Sequence, residues 1–433
     1  MTKMFRPFMV IAVVALAFGS LHSAAGQSAT GATVSAKYTL AEMPLGEAQN
    51  SVLKGSITND RKMLLGGIGS DVWHGPSDAA NELWMITDRG PNGQIRVDDK
   101  NRRTFPVPEF TPLIVRVQLD GSAAKVMELL PILTADGKPV TGLSNLEKHD
   151  EVPWDFAAKV QLTYNQNGLD SEGLVRTTAG EFWVADEYSP SLTRLDATGK
   201  VIKRYVPVGL AYDAAFAPAL PEIFGMRKVN RGFEGLAISA DEKTLYLGLQ
   251  SPLANPDRKV GDASRNTRIL AFDIASEKPV AEYVYQFDDA VEFGGAENTS
   301  DEMKVSGLIA VSPTMLLVLE RTDLVAKLYL VDLSKADNIL GSAWDDAKTT
   351  PSLEAVTDLA AANVKALPKT LVLDLDKLDA PDKIEGIALI DKSTLVIAND
   401  NDFDIGDFDA EGNHIGAGLK SQVWVITLDT PLP

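Results

Sequence analysis

Apolar residues along this chain fall in short runs of strand period, not in helical stripes. One unit sets the theme. Asn167-Gly-Leu-Asp-Ser-Glu-Gly-Leu-Val-Arg176 leads through a turn at Ala179-Gly180 into Glu181-Phe-Trp-Val-Ala-Asp-Glu187. It recurs as Arg231-Gly-Phe-Glu-Gly-Leu-Ala-Ile238 before Thr244-Leu-Tyr-Leu-Gly-Leu249. Two more copies are Lys304-Val-Ser-Gly-Leu-Ile-Ala-Val311 before Met315-Leu-Leu-Val-Leu-Glu-Arg321, and Lys383-Ile-Glu-Gly-Ile-Ala-Leu389 before Thr394-Leu-Val-Ile-Ala-Asn-Asp400. A looser copy joins Leu65-Gly-Gly-Ile-Gly-Ser-Asp-Val72 to Glu82-Leu-Trp-Met-Ile-Thr-Asp-Arg89. A hairpin repeated in this way cannot bury its own faces and must pack against its copies.

Each hairpin is followed by further strand-like runs. These are 111–119 and 125–130, 192–195 and 201–206, 267–272 and 280–286, then 326–331 and 370–373, and finally 422–427. Strands in fours, each set opening on the same hairpin, predict an all-β chain folded as a β-propeller of four-stranded blades. Five modules are visible; six or seven blades stay open, because the step into the second module is long enough to hide another. The rival is a β-sandwich, which explains the alternation but not the repeated Gly-Leu or Gly-Ile start and acidic end. Val34-Ser-Ala-Lys-Tyr-Thr-Leu40 alternates as a strand and is placed to close the ring on the last module. Residues 134–166 read as an insertion over one face, and 352–366 as a helical excursion.

The first residues change the picture of where the protein works. Lys3 and Arg6 precede the apolar run Phe8–Phe18, and small residues follow at Ser23-Ala-Ala-Gly26, the pattern of a cleaved signal. We divide the chain into a signal at 1–26, a linker with the ring-closing strand at 27–50, and the propeller at 51–433. The location expected is periplasmic or secreted, with no membrane insertion after cleavage. There is no cysteine, so neither disulfides nor a lipid-bearing cysteine are available. The formal charge of −19 disfavours nucleic acid and anionic lipid as partners. A small-molecule substrate is the remaining expectation, and the oligomeric state is open.

Chemistry collects at the hairpin ends. In a propeller the start of the innermost strand and the end of its antiparallel neighbour lie on one face. Glu172, Glu234 and Glu385 therefore meet at the channel mouth, beside Asp88-Arg89, Asp186-Glu187, Glu320-Arg321 and Asn399-Asp400. Carboxylates crowded this way raise one another's pKa unless a cation compensates. Oxygen-only ligands favour calcium first, with manganese or magnesium as alternatives, over zinc. Besides one histidine in the signal, only His74, His149 and His414 are present. The expected metal ligands are Glu172, Glu187, Glu234, Glu385, Asp400 and Asp402. Arg89, Arg231 and Arg321 flank the hairpin ends and suit an anionic substrate; with Glu234 they form the catalytic set. The structural alternative is that the glutamates pin backbone amides and the arginines are ordinary ion pairs. Asp407, Asp409 and Glu411-Gly412 copy the first half of a calcium loop, but Gly418 stands where the closing glutamate belongs. No G-x-S-x-G elbow, P-loop or dinucleotide motif is present.

Taken in order, Thr87-Asp-Arg-Gly90, Gly168-Leu-Asp-Ser-Glu-Gly173 with Phe182–Glu187, Gly232-Phe-Glu-Gly235, Ile384-Glu-Gly386 and Asn399-Asp-Asn-Asp402 resemble the phytase-like ("esterase-like activity of phytase") bacterial β-propeller proteins. The resemblance runs from about residue 50 to the C-terminus. It implies an exported, metal-assisted hydrolase of phosphate esters or related esters. Ser306 departs from the glutamate of its siblings, so the fourth module lacks that ligand. The shortage of positive charge argues against phytate itself. Two other functions share the same features: a calcium-dependent lactonase or carboxylesterase, and a non-catalytic binding propeller stabilised by calcium.

Overall fold

The Glu-Gly-Leu/Ile repeat has a steric cause. Each copy forms the innermost strand of a blade, and its glycine backs directly onto the next blade. A Cβ on Gly173 would lie 2.7 Å from Leu236 Cβ, and one on Gly307 would lie 2.6 Å from Ile387 Cγ1. Gly235 and Gly386 are hemmed in the same way by Leu308 and Val72. Only glycine permits so close an approach of neighbouring strands. In the first module Asp71 stands in the glycine's place, and its buried carboxylate accepts hydrogen bonds from Leu174 N at 2.7 Å and Val72 N at 2.8 Å.

The residue before each glycine is an extra one in the ladder. Glu172, Glu234, Ser306 and Glu385 are all skipped by the pairing with the second strand, so each sits on a β-bulge. A bulge turns a side chain out of the alternating pattern. Here it aims the carboxylates along the channel, while the following Leu or Ile enters the core.

The computed structural model describes residues 31–295 and 297–433, so the signal read at 1–26 lies outside the described residues. Blade one comprises Asp71–Trp73, Glu82–Ile86, Leu113–Asp120 and Ala123–Pro131. Blade two is Ser171–Arg176, Phe182–Asp186, Ser191–Leu195 and Val201–Pro207, with Ala217–Leu220 added in parallel. Blade three is Phe233–Ile238, Thr244–Leu249, Asn266–Asp273 and Lys278–Gln286. Blade four is Lys304–Ser312, Met315–Arg321, Ala326–Asp332 and Lys369–Asp374. Blade five takes Ile384–Asp391, Thr394–Asn399 and Gln422–Leu428 from the C-terminal end, and its fourth strand is Ala32–Leu40 from the other end. That strand also touches blade one through the parallel pairs Thr39 to Ala123 and Leu40 to Ala124.

Each innermost strand neighbours the next, and blade five neighbours blade one, so the ring is a five-bladed β-propeller. The sixth and seventh blades left open by the sequence do not exist among the described residues. The long step between modules one and two is taken up by a small sheet, Gly93–Val97, Lys100–Phe105 and Pro153–Asp155, instead. The segment 352–366 holds a single 3₁₀ turn at Leu353–Ala355, not an α-helix. Asn363 adopts a left-handed φ of 55°, and Leu353, Leu359 and Val364 pack beneath the segment.

Alternation along the strands builds a core between every pair of blades. Leu316 and Val318 face blade three, whereas Leu317 and Leu319 face blade five. Each such buried side chain contributes roughly 1.5–3 kcal/mol. Among the described residues no helix is long and apolar enough to cross a membrane.

Candidate functional site

The bulges and hairpin ends converge on a cavity of about 120 Å³ at one end of the channel. Glu172, Glu187, Glu234, Glu385, Asp400 and Asp402 all line it, so the expected ligands are gathered in one place. Asp88, Arg89, Lys304, Arg321 and Lys383 share the walls. The three histidines lie elsewhere: His74 lines a cavity with the apolar channel residues Leu236, Leu308 and Ile387, and His414 contacts Asp404 O at 3.0 Å. Only carboxylates, amides and cations therefore supply the mouth.

The carboxylates divide into two groups. On the side of blades four and five, buried cations reach in. Arg321 Nη2 lies 3.1 Å from Glu234 Oε1 and also bonds Glu385, while its Nε donates to Ser306 Oγ at 2.6 Å. Ser306 in turn donates to Glu234 Oε1 at 2.7 Å. The small serine replaces the glutamate of the other repeats, and the Arg321 guanidinium fills the space. Lys383 Nζ lies 3.0 Å from Asp400 Oδ2 and 2.6 Å from Asp402 Oδ1, and 3.8 Å from Glu385. Burial pushes Glu385 up to about 8 even though Arg321 and Lys383 oppose the shift. Asp402 is also raised by burial, but Lys383 more than offsets this and leaves it below the usual range.

Blades one and two present a different balance. Asp88, Asp170 and Glu172 each bring an oxygen into a cluster whose members lie within 4.8 Å of one another. Local bonds fix them. Gly90 N donates to Asp88 Oδ1 at 2.7 Å, Arg89 N to Asp170 Oδ1 at 3.1 Å, and Ser171 Oγ to Thr87 O at 2.6 Å. The remaining oxygens are starved. Asp170 Oδ2 and Glu172 Oε2 are buried with no hydrogen-bond donor, as are Glu187 Oε1 and Glu234 Oε2. Arg89 is the cation paired with them; its Nη2 lies 2.9 Å from Asp170 Oδ2, without hydrogen-bond alignment, and 3.6 Å from Glu187, which Arg231 also influences. Its charge is shared with Glu151, which Arg103 clamps through contacts of 2.7 and 3.2 Å.

Burial first, and then the neighbouring negative charges of Asp170, Glu385, Glu187 and Asp88, hold Glu172 well above the usual carboxylate range. Asp88 is raised by burial and by Asp400 and Asp170, and Glu187 by burial and by Asp170 and Glu234. Unpaired buried acceptors of this kind carry a desolvation penalty until a donor or cation arrives. The donor set is oxygen only and tightly spaced, which suits a hard divalent ion such as calcium.

The structure sets the expected residues in different surroundings. The tight cluster contains only Glu172 of the expected ligands; Asp88 and Asp170 complete it, while Glu385, Asp400 and Asp402 each lie beside Arg321 or Lys383. The arginines also differ in availability. Arg321 is committed to Glu234, Glu385, Ser306 and Asp323, so it positions carboxylates and has no fork free for a substrate. Arg231 does not line the cavity, although its Nη1 is buried without a hydrogen-bond partner. Arg89 does line it, and its Nε and Nη1 have no hydrogen-bond partner. The sequence signal for this pair of ligands was present: Asp170 precedes the bulged Glu172 by two, and Asp88 follows the strand Glu82–Ile86 by two. As for the half calcium loop, Asp409 binds Asn413 N at 2.7 Å and caps its own turn between Asp407–Phe408 and His414–Ile415.

The chain is similar to several known proteins. The family described as "Phytase-like: Esterase-like activity of phytase" matches residues 64–403. An uncharacterized secreted protein of Arthroderma benhamiae is 29% identical over 266 residues, 52% of this chain and 51% of that protein. The match thus spans about half the length of each. A calcium-binding protein, regucalcin, of Agrobacterium tumefaciens is similar at 11% identity and a TM-score of 0.35, covering 86% of this chain and 92% of that one. The Cps50 (Swd1) β-propeller domain of Myceliophteria thermophila gives 14% identity and 0.32, covering 86% and 98%. Likenesses that distant carry no argument about chemistry.

Proposed function

The chain belongs to the phytase-like, esterase-like activity of phytase family, and from that premise we propose that it is an exported, divalent-cation-dependent hydrolase of phosphate monoesters. The observation that supports the reading is the cluster of Asp88, Asp170 and Glu172, with Asp170 Oδ2 and Glu172 Oε2 buried without a hydrogen-bond donor and Arg89 the ion-pair partner of Asp170. These three would hold the cation, calcium before manganese or magnesium. When bound, it supplies a concentrated positive charge that neutralises the carboxylates, polarises a phosphoryl oxygen and acidifies nearby water.

The chain's own residues do the rest. Arg89 has unused donors in the cavity wall and receives the phosphoryl oxygens. Lys304, at the same wall, adds a second positive charge. Glu234 is anchored through Oε1 by Ser306 and Arg321, which leaves Oε2 unpartnered to take the proton of the attacking water. Arg321 fixes the orientation of that carboxylate. The small cavity suits one phosphoryl group, and its mixed charge is a poor match for a polyphosphorylated substrate.

The test uses metal-stripped mature protein, supplied in turn with calcium, manganese and magnesium, against 4-nitrophenyl phosphate, 4-nitrophenyl acetate and a lactone. Cation-dependent release from the phosphate, lost in Glu234→Gln, is expected. Turnover of the acetate or lactone alone would transfer the scaffold to carboxyl-ester chemistry. Cation binding without turnover of any ester would make it a binding propeller.

A further inference from the structure

The mouth cavity is not isolated. Lys383 and Asp400 line it, and the same two residues line a second cleft of about 350 Å³. That cleft lies on the same face, between the tops of blades four and five. One wall is the turn at Asp323-Leu324, between the second and third strands of blade four. The other is Gly418–Lys420, the segment that returns to the third strand of blade five. Pro381 lies on the approach to the blade-five innermost strand.

Two features of the cleft stand out. Leu324 is 63% exposed and Leu419 51% exposed, so two large apolar side chains sit in water beside a charged cavity. Both backbones are nevertheless tied down: Leu324 N donates to Thr322 Oγ1 at 3.4 Å, and Leu419 N to Asp404 Oδ1 at 2.5 Å. Single exposed leucines are ordinary. A pair in one cleft that opens onto a polar cavity is the composition of a ligand site, with apolar walls and a few polar groups that fix orientation.

We propose that this cleft is the subsite for the alcohol half of the ester, and that Leu324 and Leu419 select substrates in which that half is apolar or aromatic. The inference rests on the phosphomonoester reading of the mouth. A phosphoryl group in the charged cavity leaves the organic half to point outward, and the walls shared at Lys383 and Asp400 lead it into the cleft.

Binding and turnover are measured separately, on calcium-loaded mature protein. Phenylphosphonate and methylphosphonate, which are not hydrolysed, are titrated calorimetrically into wild type and the Leu324→Ala/Leu419→Ala double variant. Both leucines are exposed, so the fold is expected to survive, and an unchanged Tm verifies it. The wild type is expected to prefer phenylphosphonate; the double variant should weaken it about tenfold and leave methylphosphonate unchanged. Equal affinity of the wild type for the two phosphonates, an equal loss for both in the variant, or no binding of either, overturns the subsite. Turnover of phenyl phosphate and of methyl phosphate is then followed in the same proteins. Selective phenylphosphonate binding without turnover keeps the subsite and defeats the hydrolase reading. Turnover of phenyl phosphate with unaltered kinetics in the variant keeps the hydrolase and defeats the subsite.

Discussion

The two sides of the channel mouth are built from the same repeat and end in opposite electrostatic states. Around blades three to five, Arg321 and Lys383 lie among Glu234, Glu385, Asp400 and Asp402, so each carboxylate has a cationic neighbour. Between blades one and two, Arg89 is divided among Asp170, Glu187 and Glu151, Arg103 also clamps Glu151, and Asp170 Oδ2 and Glu172 Oε2 have no hydrogen-bond donor. The lesson is that the glutamate of the repeat does not by itself leave buried oxygens without a donor. What decides is whether a neighbouring hairpin returns a cation to it. Ser306 and Arg321 show the swap most clearly: a short side chain replaces the carboxylate and an arginine fills the gap.

Substitutions that strike one side only should separate the two. The largest effect is expected from Asp170→Asn, which takes a ligand from the open cluster. Cation-dependent turnover should fall by about a thousandfold or more, on the scale of losing a group essential to the reaction, while the metal-free protein becomes no less stable. Activity assays paired with thermal unfolding check both halves. Arg321→Ala should do the reverse, destabilising the fold by about 3–5 kcal/mol because Glu234 and Glu385 are left buried and unpaired. Calcium should not restore that loss, as denaturant unfolding with and without the ion will reveal. Gly307→Ala inserts a Cβ 2.6 Å from Ile387 Cγ1, and about 1–3 kcal/mol of stability should go in the same measurement.

A pH series sharpens the contrast. Burial raises Glu172, Glu187, Asp88 and Glu385, the last from 4.5 to about 8. The folded, metal-free protein thus keeps protons that the unfolded chain releases. Its stability from these groups is complete below the unfolded pKa and is lost as pH rises to about 8. The Tm of metal-free protein should fall over that window, and saturating calcium should flatten the part of the slope due to Glu172 and Asp88, because the ion replaces their protons and leaves that of Glu385. A slope that calcium leaves untouched contradicts this. Smallest of all is Asp402→Asn. Its carboxylate is 37% exposed and Lys383 keeps Asp400, so the change should stay under about 1 kcal/mol after solvent screening.

Much of this was legible in the chain. The Glu-Gly-Leu/Ile repeat announced the innermost strands because a glycine that lets two strands touch, and the bulge before it, leave a fixed local signature. Convergence of Glu172, Glu234 and Glu385 followed from antiparallel geometry alone. What escaped depends on contacts between distant segments. Asp170 and Asp88 were on the page, but nothing local says that Arg321 and Lys383 neutralise their rivals and leave this pair exposed to a cation. Blade number escaped for a related reason. The small sheet at 93–105 and 153–155 lengthens the step between modules one and two without adding a blade. At 352–366 the chain has helix-forming residues, yet Pro351 and Pro368 bound the run, Asn363 turns left-handed within it, and burial of Leu353 and Leu359 decides its path.

The most direct measurement is a calorimetric titration of calcium into metal-stripped mature protein at neutral pH, run side by side on wild type, Asp170→Asn and Asp402→Asn. The expected result is one site, with proton release, in wild type and in Asp402→Asn, and none in Asp170→Asn. Binding that persists in Asp170→Asn but disappears in Asp402→Asn would place the ion on the other side of the mouth and contradict the account.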